Sequence, residues 1–289
     1  MADSPTLQER IEDPAILVAM GAHDPLTALI AQRAGFEALY HGGYAVAAHH
    51  HGLPDIGMVG LAEMVQSVRR VKAVTATPLI ADCDTGYGDI PSVKRTVAEM
   101  EAAGAAAIQL EDQEFPKRCG HLEGKRVVGR DEMVVKIRAA VAARRSSETL
   151  IIARTDALQP LGLQEAIDRC NTYAEAGADV LFVDAARTRE QLAEIARRVD
   201  GPSLVNMSET GRTPALSASE LQELGYRVVI FPSTQTWTIA HAVEAVCREL
   251  RRHGTTRGFT ERFMPFDEVN RLLGLARWEA VEMDPSAAP

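Results

Sequence analysis

Short apolar runs alternate with longer amphipathic stretches along the chain. The runs fall at 16–20, 38–41, 79–82, 106–111, 150–154, 180–184, 203–207 and 228–232. Each is rich in β-formers and lacks the polar alternation of a half-exposed sheet, so each predicts a strand buried on both faces. Between them, 91–103, 131–143, 164–176 and 189–199 carry helical spacing. Ala103-Gly104-Ala105 and Ala176-Gly177-Ala178 supply the left-handed residue that closes a helix.

About eight β/α units with parallel connections select an α/β fold of the closed (β/α)8 TIM barrel type over an open doubly wound sheet. No GxGxxG follows the first strand, so a dinucleotide-binding fold loses its main support. No interdomain linker is visible. Residues 1–289 are therefore read as a single barrel domain, with 236–289 as a C-terminal helical extension and tail. Helices are expected over 236–253 and 266–280, and a frayed Pro/Ser/Ala-rich tail from 284. A helical segment beyond the eighth unit must cap the barrel or dock on another subunit.

The length of 289 residues suits one barrel, which needs about 250. A net charge of −9 argues against a nucleic-acid surface. An anionic substrate would need only local positive charge. Cys83, Cys119, Cys170 and Cys247 form no CxxC pair and no zinc-ligand spacing. With a polar start at residues 1–10 and no apolar run near bilayer length, the expectation is a soluble cytoplasmic enzyme without disulfides or membrane contact.

Barrel active sites lie at the C-terminal ends of the strands, and polar residues gather there. Strand three ends in Asp82-Cys83-Asp84-Thr85-Gly86-Tyr87-Gly88, strand four in Glu111-Asp112-Gln113, and strand five in Arg154-Thr155-Asp156. Asp184 ends strand six, and Asn206-Met207-Ser208-Glu209 ends strand seven. Acids converging on the barrel axis repel one another unless a cation neutralises them. Oxygen ligands without His or Cys point to Mg²⁺ or Mn²⁺, keeping several waters. Asp112 and Asp156 are read as helix-cap or turn residues. Arg154 is the natural bidentate partner of a substrate carboxylate, with structural ion pairing as its competing role.

A second cluster is Lys117-Arg118-Cys119-Gly120-His121, followed by Gly124, Lys125 and Arg126. A thiol between Arg118 and His121 sits in a positive field that lowers its pKa and supports proton donation or thiolate formation. The glycines suit a loop that opens and closes. Gly42-Gly43-Tyr44 offers backbone amides to a carboxylate. Adjacent His49, His50 and His51 cannot all face one ion, so most of them are read as a solvated loop.

GLPDIG at 52–57, ADCDTGYG at 81–88, LEDQ at 110–113, PKRCGH at 116–121, ARTDA at 153–157 and NMSETGRTP at 206–214 together resemble the isocitrate lyase/phosphoenolpyruvate mutase superfamily. The likeness runs from about 16 to 256, and KRCGH is its most specific part, similar to the catalytic loop of the lyase branch. It implies a Mg²⁺-dependent barrel with a gating loop and a C-terminal helix swapped within a homotetramer, a dimer of dimers. Carried onto this sequence, Asp82, Asp84, Asp55 and Glu111 fall at metal-site positions. Cys119 falls at the acid that protonates the carbanion product, with Arg154, His121 and Glu111 also catalytic. Tyr40, Gly42, Gly43, Tyr44, Arg154, Asp184, Asn206 and Ser208 fall around the substrate.

Three features depart from the methylisocitrate lyase pattern: Gly42-Gly43-Tyr44 where Ser-Gly-Gly is usual, Asp184 where a Glu is common, and Val183 where a proline precedes it. The implied activity is cleavage of a 2-methylisocitrate- or dialkylmalate-like acid to a 2-oxo acid and a second carboxylate. A carboxyvinyl-carboxyphosphonate phosphorylmutase-type reaction and, further off, oxaloacetate decarboxylation or a related acyl hydrolysis are the alternatives.

Overall fold

Eight parallel strands close into a barrel in chain order. They are β1 (Leu17–Gly21), β2 (Ala38–His41), β3 (Leu79–Asp82), β4 (Ala107–Glu111), β5 (Leu150–Thr155), β6 (Val180–Val183), β7 (Ser203–Asn206) and β8 (Val228–Phe231). The structure, a computed structural model, describes residues 5–284. β1 pairs with both β2 and β8, so no strand edge is left open. The expected strands are all present, with ends shifted by one or two residues: β6 stops at Val183 and β7 at Asn206.

Side chains alternate between two cores. Leu17, Ala19, Ala38, Tyr40, Ile80, Ala107, Ile152, Phe182, Leu204 and Ile230 fill the lumen. Leu39, Leu79, Ala81, Ile108, Leu110, Ile151, Ala153, Leu181, Val183 and Val205 face the surrounding helices. This two-residue period fixes which residues at the strand ends look down the axis. The backbones approach closely where β1 meets β8. A Cβ on Gly21 would stand 2.3 Å from the Pro232 carbonyl oxygen, so only glycine fits there.

The segment after β2 differs from expectation. It forms a helix over Gly43–Val46 that runs into a π-type turn at Ala47–His51, closed by Gly52 at φ 64°. The apolar Ala45, Val46 and Ala47 are buried, and this fastens residues that the neighbouring histidines made look solvated. The His23 and His49 rings stack at 3.6 Å.

The chain divides into two compact units, one ending at Thr234 and the other starting at Gln235. The second comprises most of the helix Thr234–His253, a 3-10 turn Arg257–Arg262, and the helices Phe266–Leu272 and Leu275–Met283. It exposes Phe266, Trp278 and Met283. The tail expected from 284 lies, beyond its first residue, outside the described residues. No helix among the described residues is long and apolar enough to cross a membrane.

Candidate active site

The lumen-facing phase carries polar residues up the axis. Above Ile80 stands Asp82; above Ala107 stand Gln109 and Glu111; above Ile152 stands Arg154; above Leu204 stands Asn206. Register places Asp82 beside Gln109 and Glu111 beside Arg154. All five are nine-tenths or more buried. Gln109 Nε2 donates to Asp82 Oδ1 at 3.2 Å and to the Tyr40 hydroxyl at 3.0 Å, and the Gly43 amide donates to Asp82 Oδ2 at 3.3 Å. A side chain at 43 would point at Asp84 and Asp82, so the glycine leaves open the face of the carboxylates that looks into the mouth.

Phase also separates acids that look alike in sequence. Asp112 belongs to the outward set and accepts from Thr155 Oγ1 at 2.7 Å, Arg169 Nη1 at 2.9 Å and the Tyr173 hydroxyl at 2.9 Å. It also accepts from the Asp156 amide at 2.9 Å. Asp156 receives Arg154 Nε at 2.9 Å and Nη2 at 3.0 Å, and Lys125 Nζ at 2.8 Å. Both were expected to be caps or turn residues. They are instead buried struts, because each is surrounded by donors from neighbouring units and neither caps a helix. Burial works to raise the Asp156 carboxyl, but Arg154 and Lys125 hold it well below the usual range.

Arg154 is thus engaged within the protein, reaching Asp184 at 2.6 Å and Glu111 at 3.3 Å as well, with its guanidinium 5.4 Å from the centre of the Phe182 ring. Its competing structural role is real. Asn206 Nδ2 lies 3.4 Å from Asp184 Oδ1 and 3.4 Å from His121 Nε2. Ser208 is buried just beyond β7.

The loop after β4 lies down over this mouth. Gln113 receives the Arg118 amide at 3.0 Å and donates back to its carbonyl at 2.8 Å. The Cys119 amide donates to the Asp55 carbonyl at 3.1 Å. A Cβ on Gly120 would fall 1.7 Å from Asp184 Oδ2 and 2.5 Å from Arg154 Nη2, so the loop backbone rests directly on that ion pair. His121 accepts the Arg212 amide at 3.3 Å.

The expected positive field at Cys119 is not found. Arg118 turns outward to the Glu123 carbonyl. Burial, joined by Asp55 and Asp184 against the His121 amide and Arg154, pushes the thiol up to about 11. The residue is therefore a protonated acid at neutral pH rather than a thiolate. The half-buried Tyr44 hydroxyl is raised by burial and by the adjacent Cys119 and Asp55.

Lys117 was not singled out from sequence as a site residue. Its ammonium is buried between Asp55 at 2.6 Å and Asp84 at 2.8 Å. Burial opposes its charge, but Asp84, Asp55, Glu111 and Asp82 outweigh that and raise it. Gln109 and Lys125 were missed as well. Strand phase was the available signal for Gln109, whereas only the fold brings the two lysines to their carboxylates.

The donor set suits a hard divalent cation. Burial pushes Asp84 up to about 6 against Lys117, and holds Glu111 well above the usual carboxylate range against Arg154. Glu111 Oε1 is buried with no hydrogen-bond partner among the described residues. Within those residues no three His, Cys, Asp or Glu side chains gather closely enough to hold an ion alone. A cation on Asp82, Asp84, Asp55 and Glu111 would complete its shell with water, as Mg²⁺ does.

The family model described as phosphoenolpyruvate phosphomutase matches residues 7–251. A 2,3-dimethylmalate lyase of Eubacterium barkeri is 41% identical over 96% of this chain and 96% of its own. A 2-methylisocitrate lyase of Aeropyrum pernix is 43% identical over 97% and 90%. A carboxyvinyl-carboxyphosphonate phosphorylmutase of Arabidopsis thaliana is 40% identical over 94% and 81%. Among solved structures, a 2,3-dimethylmalate lyase superposes with a TM-score of 0.91 at 38% identity, covering 99% of this chain and 97% of its own. An oxaloacetate acetylhydrolase bound to 3,3-difluorooxalacetate gives 0.90 at 36%, covering 98% and 96%. A phosphonopyruvate hydrolase in complex with oxalate and Mg²⁺ gives 0.88 at 31%, covering 96% and 97%. By family match, identity and barrel alike, the chain belongs to the phosphoenolpyruvate mutase/isocitrate lyase superfamily.

Proposed function

We propose that this chain is a Mg²⁺-dependent carbon–carbon lyase, a cytoplasmic enzyme cleaving a 2-methylisocitrate- or dialkylmalate-like hydroxy acid to a 2-oxo acid and a second carboxylate. The observation that carries this reading is the protonated, mostly buried Cys119 thiol, held on a loop that packs against the Arg154–Asp184 pair. A mutually buried acid and cation pair beneath a proton donor suits the carboxylate end of a substrate whose neighbouring carbon must be protonated. Names of relatives at about 40% identity support the same chemistry.

Asp82, Asp84, Asp55 and Glu111 would hold the cation. When bound, such a cation supplies Lewis-acid polarisation of substrate oxygens. The protein's own residues do the rest. Gly42 and Gly43 leave room for a carboxylate at the helix start, and Tyr44 walls the mouth beside Cys119. Arg154, His121, Asn206 and Ser208 orient the far end, and Asp184 steadies Arg154. A general base takes the substrate's hydroxyl proton, and the carbon–carbon bond breaks as that oxygen becomes the carbonyl of the 2-oxo acid. The electron pair is left on the carbon next to the departing carboxylate, and it takes the proton of Cys119 Sγ.

The test is Cys119→Ser assayed for 2-oxo acid release from a panel of alkylmalates and isocitrates with Mg²⁺. Turnover is expected to fall at least about 10²-fold with substrate binding retained. Full activity of the variant on every substrate would remove the acid from the mechanism. A phosphonomutase reading draws support from the family description and the phosphorylmutase relative, and product analysis by phosphorus NMR separates the two. The exposed Phe266, Trp278 and Met283 support docking of the C-terminal helical unit on another copy in a homotetramer.

A further inference from the structure

The loop that carries Cys119 is fastened at both ends by buried lysines. Lys117 sits between Asp55 and Asp84, and Lys125 is paired with Asp156. Between these anchors lie residues 118–124, and this tip has almost no apolar packing. Leu122 is 45% exposed, and a cavity of about 170 Å³ lies beside the tip, walled by Gly120, Leu158, Gln159, Ala185, Arg187 and Arg212. At its rim Glu123 reaches three separate segments at the barrel end. Oε1 pairs with Arg212 after β7 and lies 3.5 Å from Arg187 after β6, and Oε2 accepts from Gln159 after β5.

We propose that Glu123 is the latch of this loop: a positioning residue that holds Cys119 over the mouth through Arg212, Arg187 and Gln159, and lets go when the mouth must open. Placement favours this over a purely structural role. Its carboxylate is 64% exposed, so its ion pairs are weak and screened by salt. Weak contacts suit a closure that must be undone in every cycle. The lysine anchors are buried and keep the loop's ends fixed while the tip moves. Arg212 is also the residue whose amide meets His121, so the latch and the His121 contact engage together.

This role presupposes the reading of Cys119 as the acid, but its test does not depend on turnover. The purified full-length protein is treated with iodoacetamide at low salt, and alkylation is mapped by mass spectrometry. The exposed Cys247 is the internal reference, while Cys83 and Cys170 are buried. Glu123→Gln and Arg212→Gln are expected to raise Cys119 alkylation relative to Cys247 about five-fold, the scale of a few exposed ion pairs. Arg212→Lys keeps the charge and is expected to stay near the wild-type rate. Raising salt to about 0.5 M should speed Cys119 alkylation in the wild type and leave Glu123→Gln unmoved. Wild-type alkylation in Glu123→Gln, or an equal salt response in both proteins, overturns the latch. If no malate or isocitrate analogue is cleaved while the alkylation pattern holds, the lyase reading fails and the latch stands.

Discussion

Gly120 offers a sharp perturbation, because a single methyl group tests whether the closed loop is the working one. Its backbone needs no left-handed conformation, so Gly120→Ala perturbs only space. The new Cβ would lie 1.7 Å from Asp184 Oδ2 and 2.5 Å from Arg154 Nη2, where ordinary contact requires about 3.4 Å. Asp184 is 1% exposed and bound to Arg154 at 2.6 Å, and Arg154 is gripped in turn by Asp156. The pair cannot retreat, so the tip must rise by about 1.5 Å. A displacement near 1 Å at reacting atoms costs on the order of 10²-fold in rate, roughly 2.7 kcal/mol of barrier.

Stability should scarcely change, since the strain is relieved by lifting a tip held through exposed contacts. The assay is kcat and KM for 2-oxo acid release, together with the melting temperature and the rate of Cys119 alkylation. Gly120→Ala is expected to lose at least about 10²-fold in kcat, alkylate faster and melt within a few degrees of wild type. Gly129→Ala is the control: nothing lies within 4 Å of its Cβ position, and its kcat should stay within about two-fold. A Gly120→Ala variant with wild-type kcat would refute the closed loop as the catalytic arrangement.

Lys125→Met removes the partner of a fully buried carboxylate, and leaving Asp156 short of one cation should cost about 3–5 kcal/mol in urea unfolding; a loss below about 1 kcal/mol would show that the pair is not structural. Asp84 gives a pH signature in the metal-free protein. Its carboxyl lies near 6 when folded against 3.8 ordinarily, so the folded state binds the proton more tightly. The resulting stability is complete below about pH 4 and is lost as pH rises through 6, by up to about 3 kcal/mol at roughly 1.4 kcal/mol per pH unit. Mg²⁺ should therefore raise the melting temperature more at pH 7.5 than at pH 5, and an equal effect at both would count against a cation on this cluster.

The barrel was legible because parallel strands buried on both faces must be apolar throughout, and eight such runs stand out from the amphipathic stretches between them. The acids and Arg154 were legible as strand-end residues, but not their division of labour. Glu111 and Asp112 are adjacent and chemically alike; only lumen phase, visible once strands are placed against one another, sends one to the axis and the other to Arg169 and Tyr173. The charge around Cys119 was misjudged for a related reason. Neighbours in sequence suggested a cationic field, yet Arg118 leaves the site, while Asp55 and Asp184 arrive from distant parts of the chain. Lys117 looked like one more basic loop residue until folding set it between two carboxylates. The helix at 43–46 and the turn that follows were hidden by three consecutive histidines, whose polarity masked the buried Ala45–Ala47 run.

The strut formed by Asp112 bears on how this scaffold could be re-engineered. One carboxylate ties together β5 through Thr155, the loop beyond it through the Asp156 amide, and the outer helix through Arg169 and Tyr173. A library aimed at new substrates therefore has an uneven landscape. Tyr44 and Ser208 are side chains around the mouth that can be varied, whereas randomising Asp112 would collapse the platform on which they stand. Two acids side by side in the sequence thus mark opposite tolerances: Glu111 can be exchanged to ask about chemistry, and Asp112 must be kept for the question to have a folded answer.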